Sequence, residues 1–397
     1  MSLSSCLNIL FAFLAFLSLA IGVWRWIASL RFPLHQRLVI QTSLPGVTLL
    51  KPLKGCELET TRSLRSWMIQ RYPSPVQILF GVASPDDPVC AVVRGLLAEY
   101  PKVDAQLVIC HEDHGVNAKV SSLRQMQPLA RHDFIVVSDA DVRVSDDFLI
   151  NLTPLFDDPQ VGLVNCFYSL ANPTTLAMRW EAIAINADFW SEVLQARSMK
   201  EVDFALGAVM ALPRAVLEKM GGFAQMADYL ADDYHLGQEV SKQGKKIVFA
   251  QIAVECWEHV MNFNEVWRHQ LRWGRTIRCC QPLPFFLSIL SNATLWPVVW
   301  FLYFTASHPY HDDSRNVALW LAAASLLFCA IGFRITSALQ QQMRLTRSTE
   351  HFGAWWLIPV KDLLNVLIWA FSFLGNHVTW RHHRYRILPG GKLERDE

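Results

Sequence analysis

Apolar positions along the chain fall into three regimes. Residues 7–23 are apolar almost throughout and end in Trp24-Arg25-Trp26. About 20 such residues span a bilayer, and aromatic residues with a charge mark its edge. From Pro45 the pattern changes to short apolar runs separated by stretches of helical periodicity. Strands are expected over 47–52, 76–82, 106–110, 135–137, 161–166, 208–212 and 246–251, and helices over 58–70, 89–100, 176–194 and 235–242. A further helix is expected to follow the loop 114–119. Strands and helices alternating on this scale predict a doubly wound α/β domain with a mainly parallel sheet.

The third regime begins near residue 261. Residues 263–278 carry Trp267, Arg268, Arg272, Trp273, Arg275 and Arg278, a basic and Trp-rich helix suited to a membrane surface. Spans are expected over 283–304 and 317–335. The apolar stretch 355–378 is interrupted by Pro359, Lys361 and Asp362, and is expected to form an interfacial helix followed by a re-entrant or half-length hairpin. The resulting division is an anchor (1–30), a catalytic domain (44–260), an interfacial segment (261–282), C-terminal membrane segments (283–380) and a basic tail (381–397).

The polar link 308–315 holds one Arg and two Asp, whereas Arg25, Arg31, Arg37, Arg344 and Arg347 flank the opposite ends of the spans. The positive-inside rule then places the α/β domain and the tail in the cytosol of a multi-pass membrane protein. A cleaved signal peptide is the other reading of residues 7–23, but no basic segment precedes them and no small-residue cleavage site is clear.

Composition agrees with membrane residence: 52% of the 397 residues are hydrophobic, with 15 Trp and 23 Phe. A net charge of +1 offers no field for nucleic acid. Nine cysteines without a metal-binding spacing suit a reduced compartment.

Candidate chemistry centres on Phe134-Ile-Val-Val-Ser-Asp-Ala-Asp-Val-Arg143. A β-branched run ends abruptly in Asp139-Ala140-Asp141, and ligands of open α/β sheets collect at the carboxyl ends of strands. Two carboxylates there can hold a divalent cation that clamps a diphosphate. Three more sites lie along the chain: Asp86-Asp87 after the second strand, Asp232-Asp233 before a late helix, and His269-Gln-Leu-Arg272-Trp273. Each has a plain structural reading: a turn with a helix cap, an N-cap and a membrane-surface anchor, respectively. Taken together, in this order and ahead of membrane spans, they fit glycosyl transfer from a nucleotide sugar. That reaction needs a metal for the leaving diphosphate and a carboxylate to deprotonate an acceptor hydroxyl.

These residues resemble the ceramide glucosyltransferases, family 21 of the inverting GT-A glycosyltransferases, and also the bacterial hopanoid-associated transferases of that family. The likeness runs from Leu44-Pro-Gly-Val-Thr-Leu-Leu-Lys-Pro-Leu-Lys-Gly55 to the Trp380-Arg-His-His-Arg-Tyr-Arg386 tail. It implies a GT-A catalytic domain and transfer of glucose from UDP-glucose to the primary hydroxyl of ceramide, with inversion, by a bacterial member in the inner membrane. It further implies nucleotide contacts from Lys54, Asp86, Asp87, Asn117, Lys119 and Asp139, and Mg²⁺ or Mn²⁺ on Asp139 and Asp141. Asp233 would be the catalytic base, with Arg272 and Trp273 at the diphosphate and the acceptor entry. His269 stands where the family pattern has Gln or Arg. The 176–194 helix, with Trp180, Phe189 and Trp190, would help to form the mouth for the lipid, or else simply pack in a core. Transfer of N-acetylglucosamine to a hopanoid polyol, a processive polysaccharide synthase and a non-catalytic lipid-binding protein are the alternatives.

Overall fold

The structure, a computed structural model, describes residues 3–38, 44–307, 314–380 and 383–395. The polar link's residues 308–313, and Arg381 and His382 of the tail, therefore lie outside it. The chain forms two compact units that alternate along the sequence. The first takes residues 33–172, 196–260 and 379–397; the second takes 1–32, 173–195 and 261–378.

The first unit is built on β1 (Val47–Leu53), β2 (Val76–Val82), β3 (Asp104–Ile109), β4 (Phe134–Ser138), β5 (Val142–Arg143), β6 (Val161–Leu170), β7 (Val209–Pro213) and β8 (Lys246–Cys256). They form one sheet in the order β3-β2-β1-β4-β7-β6-β8-β5. β1 pairs parallel with β2 and β4, and β2 with β3. β7 runs antiparallel to β4 and β6, while β6 and β8 are parallel. Val47 is opposite both Val76 and Phe134, so the carboxyl ends of β2, β1 and β4 come out side by side at one edge. The doubly wound, mainly parallel expectation holds, with β7 and the short edge strand β5, antiparallel to β8, running against the rest. Trp67, Phe80 and Phe148 fill the core against the strands, all at most 1% exposed.

Asn117 caps the Ala118–Met126 helix, its side-chain oxygen accepting from the Lys119 and Val120 N–H groups at 3.0 and 3.2 Å. Just before it, Gly115 has φ +112°, and a Cβ there would stand 2.9 Å from the Ala227 carbonyl oxygen. Only glycine lets these two loops meet. The tail folds rather than trailing: β9 (His377–Trp380), β10 (His383–Ile387) and β11 (Leu393–Arg395) form a second, three-stranded sheet. Leu393 N–H donates to the Asp228 carbonyl at 2.7 Å, and Lys392 pairs with the Asp228 carboxylate at 3.7 Å.

The second unit is helical. Two of its helices, Leu3–Arg31 and Val317–Thr346 within Ser314–Thr346, are long and apolar enough to cross a membrane. The span expected over 283–304 falls on a bent pair of helices, Pro282–Ser291 and Leu295–Ser307, with 56° between them. Asn292 makes the bend: its side-chain oxygen caps the second helix by accepting from Leu295 N–H at 2.9 Å, and its amide donates to the Asp362 carbonyl at 2.8 Å. The hairpin expected over 355–378 is one helix, Leu357–Ser372, leading into β9. Lys361 and Asp362, which interrupt the apolar pattern, are buried and paired rather than placed at a break. The helix expected over 176–194 is three pieces: Leu176–Ile183, a wider π-helical turn at Ala184–Phe189, and Trp190–Met199. Its Trp180 and Trp190 are core residues, 1% and 0% exposed.

Candidate active site

The parallel order β2-β1-β4 gathers motifs that are far apart in sequence. After β1 comes Gly55, whose N–H donates to both carboxylate oxygens of Asp87 at 3.1 and 3.0 Å. Asp87 Oδ1 also accepts from Val89 N–H at 3.0 Å, where the next helix starts. Asp87 thus ties the loop after β2 to the loop after β1. Asp86 and Lys54 on those loops are exposed.

After β4 come Asp139 and Asp141. Beneath them, within β1, Lys51 is fully buried. Its Nζ donates to Ser138 Oγ at 3.1 Å and to the Asp139 carbonyl oxygen, and lies 5.3 Å from the Trp67 ring centroid. Burial pulls the Lys51 pKa down to about 7, although the Asp141 and Asp139 carboxylates pull it up. Asp141 moves the other way, raised to about 8 by burial first and then by the Glu258 and Asp139 charges. The Asp141 carbonyl is fixed by Trp257 N–H at 3.1 Å and Ser63 Oγ at 3.3 Å.

Lys119 links this strand end to the second acidic pair. Its Nζ lies 2.7 Å from Asp139 Oδ1 and 3.2 Å from Asp232 Oδ2, with the side chain 11% exposed. Burial lowers its pKa, but the Asp139 and Asp232 carboxylates outweigh that and raise it, so Lys119 is a permanent cation here. Asn117 holds the same corner from the other side, donating to the Tyr229 carbonyl at 2.8 Å and to Asp232 Oδ1 at 3.5 Å. Its polar atoms are occupied by these structural bonds.

Asp232 and Asp233 are the first residues of the Asp232–Lys242 helix, one position past an N-cap formed by Ala231. Asp232 is engaged by Lys119, whereas Asp233 accepts from the Tyr234 N–H at 2.8 Å and lies against Gly207, where a Cβ would be 3.0 Å from its Oδ2. Burial and the neighbouring Asp232 charge raise the Asp233 pKa to about 7. A carboxylate of that basicity is matched to taking a proton near neutral pH.

The carboxylates at the end of β4 suit a hard divalent cation: burial first, and the Glu258 and Asp139 charges after it, make an uncompensated Asp141 carboxylate costly, and a cation would relieve that. No group of three or more His, Cys, Asp or Glu converges among the described residues. Asp139 and Asp141 would supply two oxygen ligands and leave the other positions to phosphate oxygens and water, a pattern typical of Mg²⁺ sites.

His269, Arg272 and Trp273 lie in the helical unit, on the Phe263–Cys280 helix. At i, i+3 and i+4 they share one face. Phe189 sits 6.1 Å from Trp273, ring centroid to centroid. Reading the sequence did not single out Lys51. The available signal was a lysine inside the otherwise apolar run Val47-Thr-Leu-Leu-Lys-Pro-Leu53.

A sheet with acidic loops at the carboxyl ends of adjacent parallel strands, and an antiparallel strand beyond them, is the architecture of a GT-A glycosyltransferase. The family model described as glycosyl transferase family 21 matches residues 9–393, and the chain belongs to that family. It is accordingly a hexosyltransferase. Ceramide glucosyltransferase 3 of Caenorhabditis elegans is 22% identical over 366 residues, covering 91% of this chain and 77% of that protein. The ceramide glucosyltransferase of Candida albicans is 38% identical over 117 residues, 27% of this chain and 22% of that protein. A beta-monoglucosyldiacylglycerol synthase of Trichormus variabilis is 25% identical over 248 residues, 61% of this chain and 51% of that protein. Among solved structures, a mannosyltransferase from Pyrobaculum calidifontis in complex with GDP-Man and Mn²⁺ superposes with a TM-score of 0.53 at 19% identity, over 92% of this chain and 99% of that one. That likeness bears on the fold.

Proposed function

We propose that the protein transfers glucose from UDP-glucose to the primary hydroxyl of a membrane lipid with inversion, ceramide being the first acceptor and diacylglycerol-type glycolipid precursors the second. The carrying observation is Lys119, which spans Asp139 at the end of β4 and Asp232 at the start of the Asp232–Lys242 helix. One cation thereby ties the diphosphate end of the site to the helix turn that presents Asp233. Asp139 and Asp141 would hold Mg²⁺ or Mn²⁺, which supplies charge neutralisation for the leaving diphosphate. Asp233 takes the proton from the acceptor hydroxyl, and Lys119 faces the charge that develops on UDP. Asp87, with Lys54 and Asp86 on the adjoining loops, frames the nucleotide end. Arg272 and Trp273 serve the diphosphate and the acceptor entry. Two candidate spans, and relatives named for lipid products, support residence in a membrane, and the arginines flanking the spans favour a multi-pass protein with the sheet unit in the cytosol.

The glycerolipid reading is kept because a diacylglycerol-glucoside synthase aligns over 61% of the chain. One assay separates the acceptors. Detergent-purified protein is given Mn²⁺ or Mg²⁺, a panel of UDP-sugars, and ceramide, diacylglycerol or a hopanoid polyol, and the lipids are read by mass spectrometry. Hexosylceramide formed with UDP-glucose supports the first acceptor. Glucosyldiacylglycerol, or an N-acetylhexosaminyl hopanoid, keeps the mechanism and changes the substrate. No sugar transferred to any lipid would end the reading.

A further inference from the structure

Within the helical unit, the Phe263–Cys280 helix meets the Leu176–Ile183 helix through a buried carboxylate. Glu181 is 1% exposed. Its Oε1 lies 2.5 Å from His269 Nδ1 and accepts from Gln270 Nε2 at 3.2 Å, while Oε2 has no hydrogen-bond partner among the described residues. A carboxylate so buried has to be matched by donors. With Oε1 already accepting from Gln270, Nδ1 is the donor towards Glu181, and in the neutral imidazole that leaves Nε2 with its lone pair. A buried acid orienting an imidazole in one tautomer is a recurring way to prepare histidine for substrate.

The surroundings indicate what that nitrogen meets. The His269 side chain is 19% exposed, and its ring contacts Trp273 with centroids 5.0 Å apart. Next to Glu181, Trp180 stacks on Phe263 at 5.4 Å, and Phe263 is half exposed. Aromatic rings suit a lipid bearing a hydroxyl better than a bare diphosphate. The Nε2 of a neutral imidazole is a hydrogen-bond acceptor.

We propose that Glu181 is a positioning residue that holds His269 with Nε2 ready to accept a hydrogen bond from a hydroxyl of the lipid acceptor, making the pair a determinant of acceptor affinity. This rests on the lipid-transfer reading above.

The test is steady-state kinetics in mixed micelles with the donor and lipid that the wild type uses. Glu181→Gln and His269→Leu should each raise the KM for the lipid by about tenfold, the weight of one hydrogen bond, with little change in the KM for the UDP-sugar. His269→Gln, which keeps an acceptor atom, should retain more lipid affinity than His269→Leu. In the double variant Glu181→Gln/His269→Leu the lipid KM should match that of His269→Leu alone, because Glu181 acts through the imidazole. Additive losses, a rise in UDP-sugar KM instead, or a fall in melting temperature with the lipid KM unmoved would each overturn the assignment. A wild type that transfers sugar to no lipid removes both proposals; a wild type that does so while Glu181→Gln behaves normally removes only this one.

Discussion

Arg334 holds Asp362 with two nitrogens, Nε to Oδ2 at 2.8 Å and Nη2 to Oδ1 at 2.9 Å. The same Nη2 reaches Asp188 Oδ2 at 2.9 Å, Lys361 also bonds Asp188, and Arg25 stands 3.6 Å from Asp188 Oδ1. Three cations thus meet two aspartates inside the helical unit, all with side chains less than 10% exposed. Glu192, 2.8 Å from Arg25, brings the cluster to three charges of each sign. Arg334 lies in a candidate span, where an unpaired charge is costly and such a matched cluster acts as a clamp. Arg334→Met should lower the unfolding free energy by about 3–5 kcal/mol, because two aspartates lose a buried partner. Arg334→Met/Asp362→Leu should recover part of that. Thermal melts in detergent measure both, and an unchanged melting temperature for Arg334→Met would exclude the clamp.

A base whose pKa is raised to about 7 gives a definite pH profile. Protonated Asp233 cannot take the acceptor proton, so kcat/KM should fall roughly tenfold per pH unit below 7 and level off above it. Asp233→Asn should cut turnover by about 10²–10⁴-fold and leave UDP-sugar binding near the wild-type value. Stability has the opposite sense. The folded pKa lies above the unfolded 3.8, so the group's contribution is present at pH values below about 4 and is lost as pH rises through 7. Asp233→Asn should therefore melt higher than the wild type at pH 8 and not at pH 4. A variant with wild-type turnover would refute the base assignment.

Lys119 bridges two carboxylates, and its removal strands both. Lys119→Met should raise the UDP-sugar KM or lower kcat so that kcat/KM drops about 30-fold or more, since breaking a buried charge pair costs about 2–5 kcal/mol. Isothermal titration with UDP, with and without Mn²⁺, separates lost affinity from lost turnover. Intact affinity and turnover would show that the bridge does not matter for donor binding.

Lys51 offers a test of the floor beneath the metal-site carboxylates. Lys51→Met keeps the chain length and deletes the donor to Ser138 and the Asp139 carbonyl. Stability should drop by about 1–3 kcal/mol, the penalty for a buried acceptor left unmatched. Denaturant unfolding of the variant checks this, and no loss would mean that the bond is dispensable.

The acidic sites were legible because chain order maps simply onto a parallel sheet. The runs at 76–82 and 135–137 each end in acids, and strands that flank β1 must deliver those ends to one edge. Asp233 was legible as an acid before a helix, but that Lys119 forms its ion pair with Asp232 instead was not. Lys51 and Glu181 escaped notice because each sits in a segment whose apolar period already explains it, and burial of a charge becomes visible only with its partner. Lys361 and Asp362 were noticed and misplaced. They interrupt an apolar pattern, so they suggested a break, whereas pairing with Asp188 and Arg334 lets one continuous helix carry them.

The alternation of the two units along the sequence sets the order in which the molecule can be completed. Arg25 emerges from the ribosome well before Asp188, and Asp188 well before Arg334 and Lys361, so its full set of partners exists only after residue 361. The strand containing Leu393 must then return to Asp228, which was made more than 160 residues earlier. Contacts this distant delay closure of the helical unit until residue 361, and of the sheet unit until residue 393, has been made. A truncation that spares every acidic motif would still deprive the segment just ahead of Asp233 of its last strand.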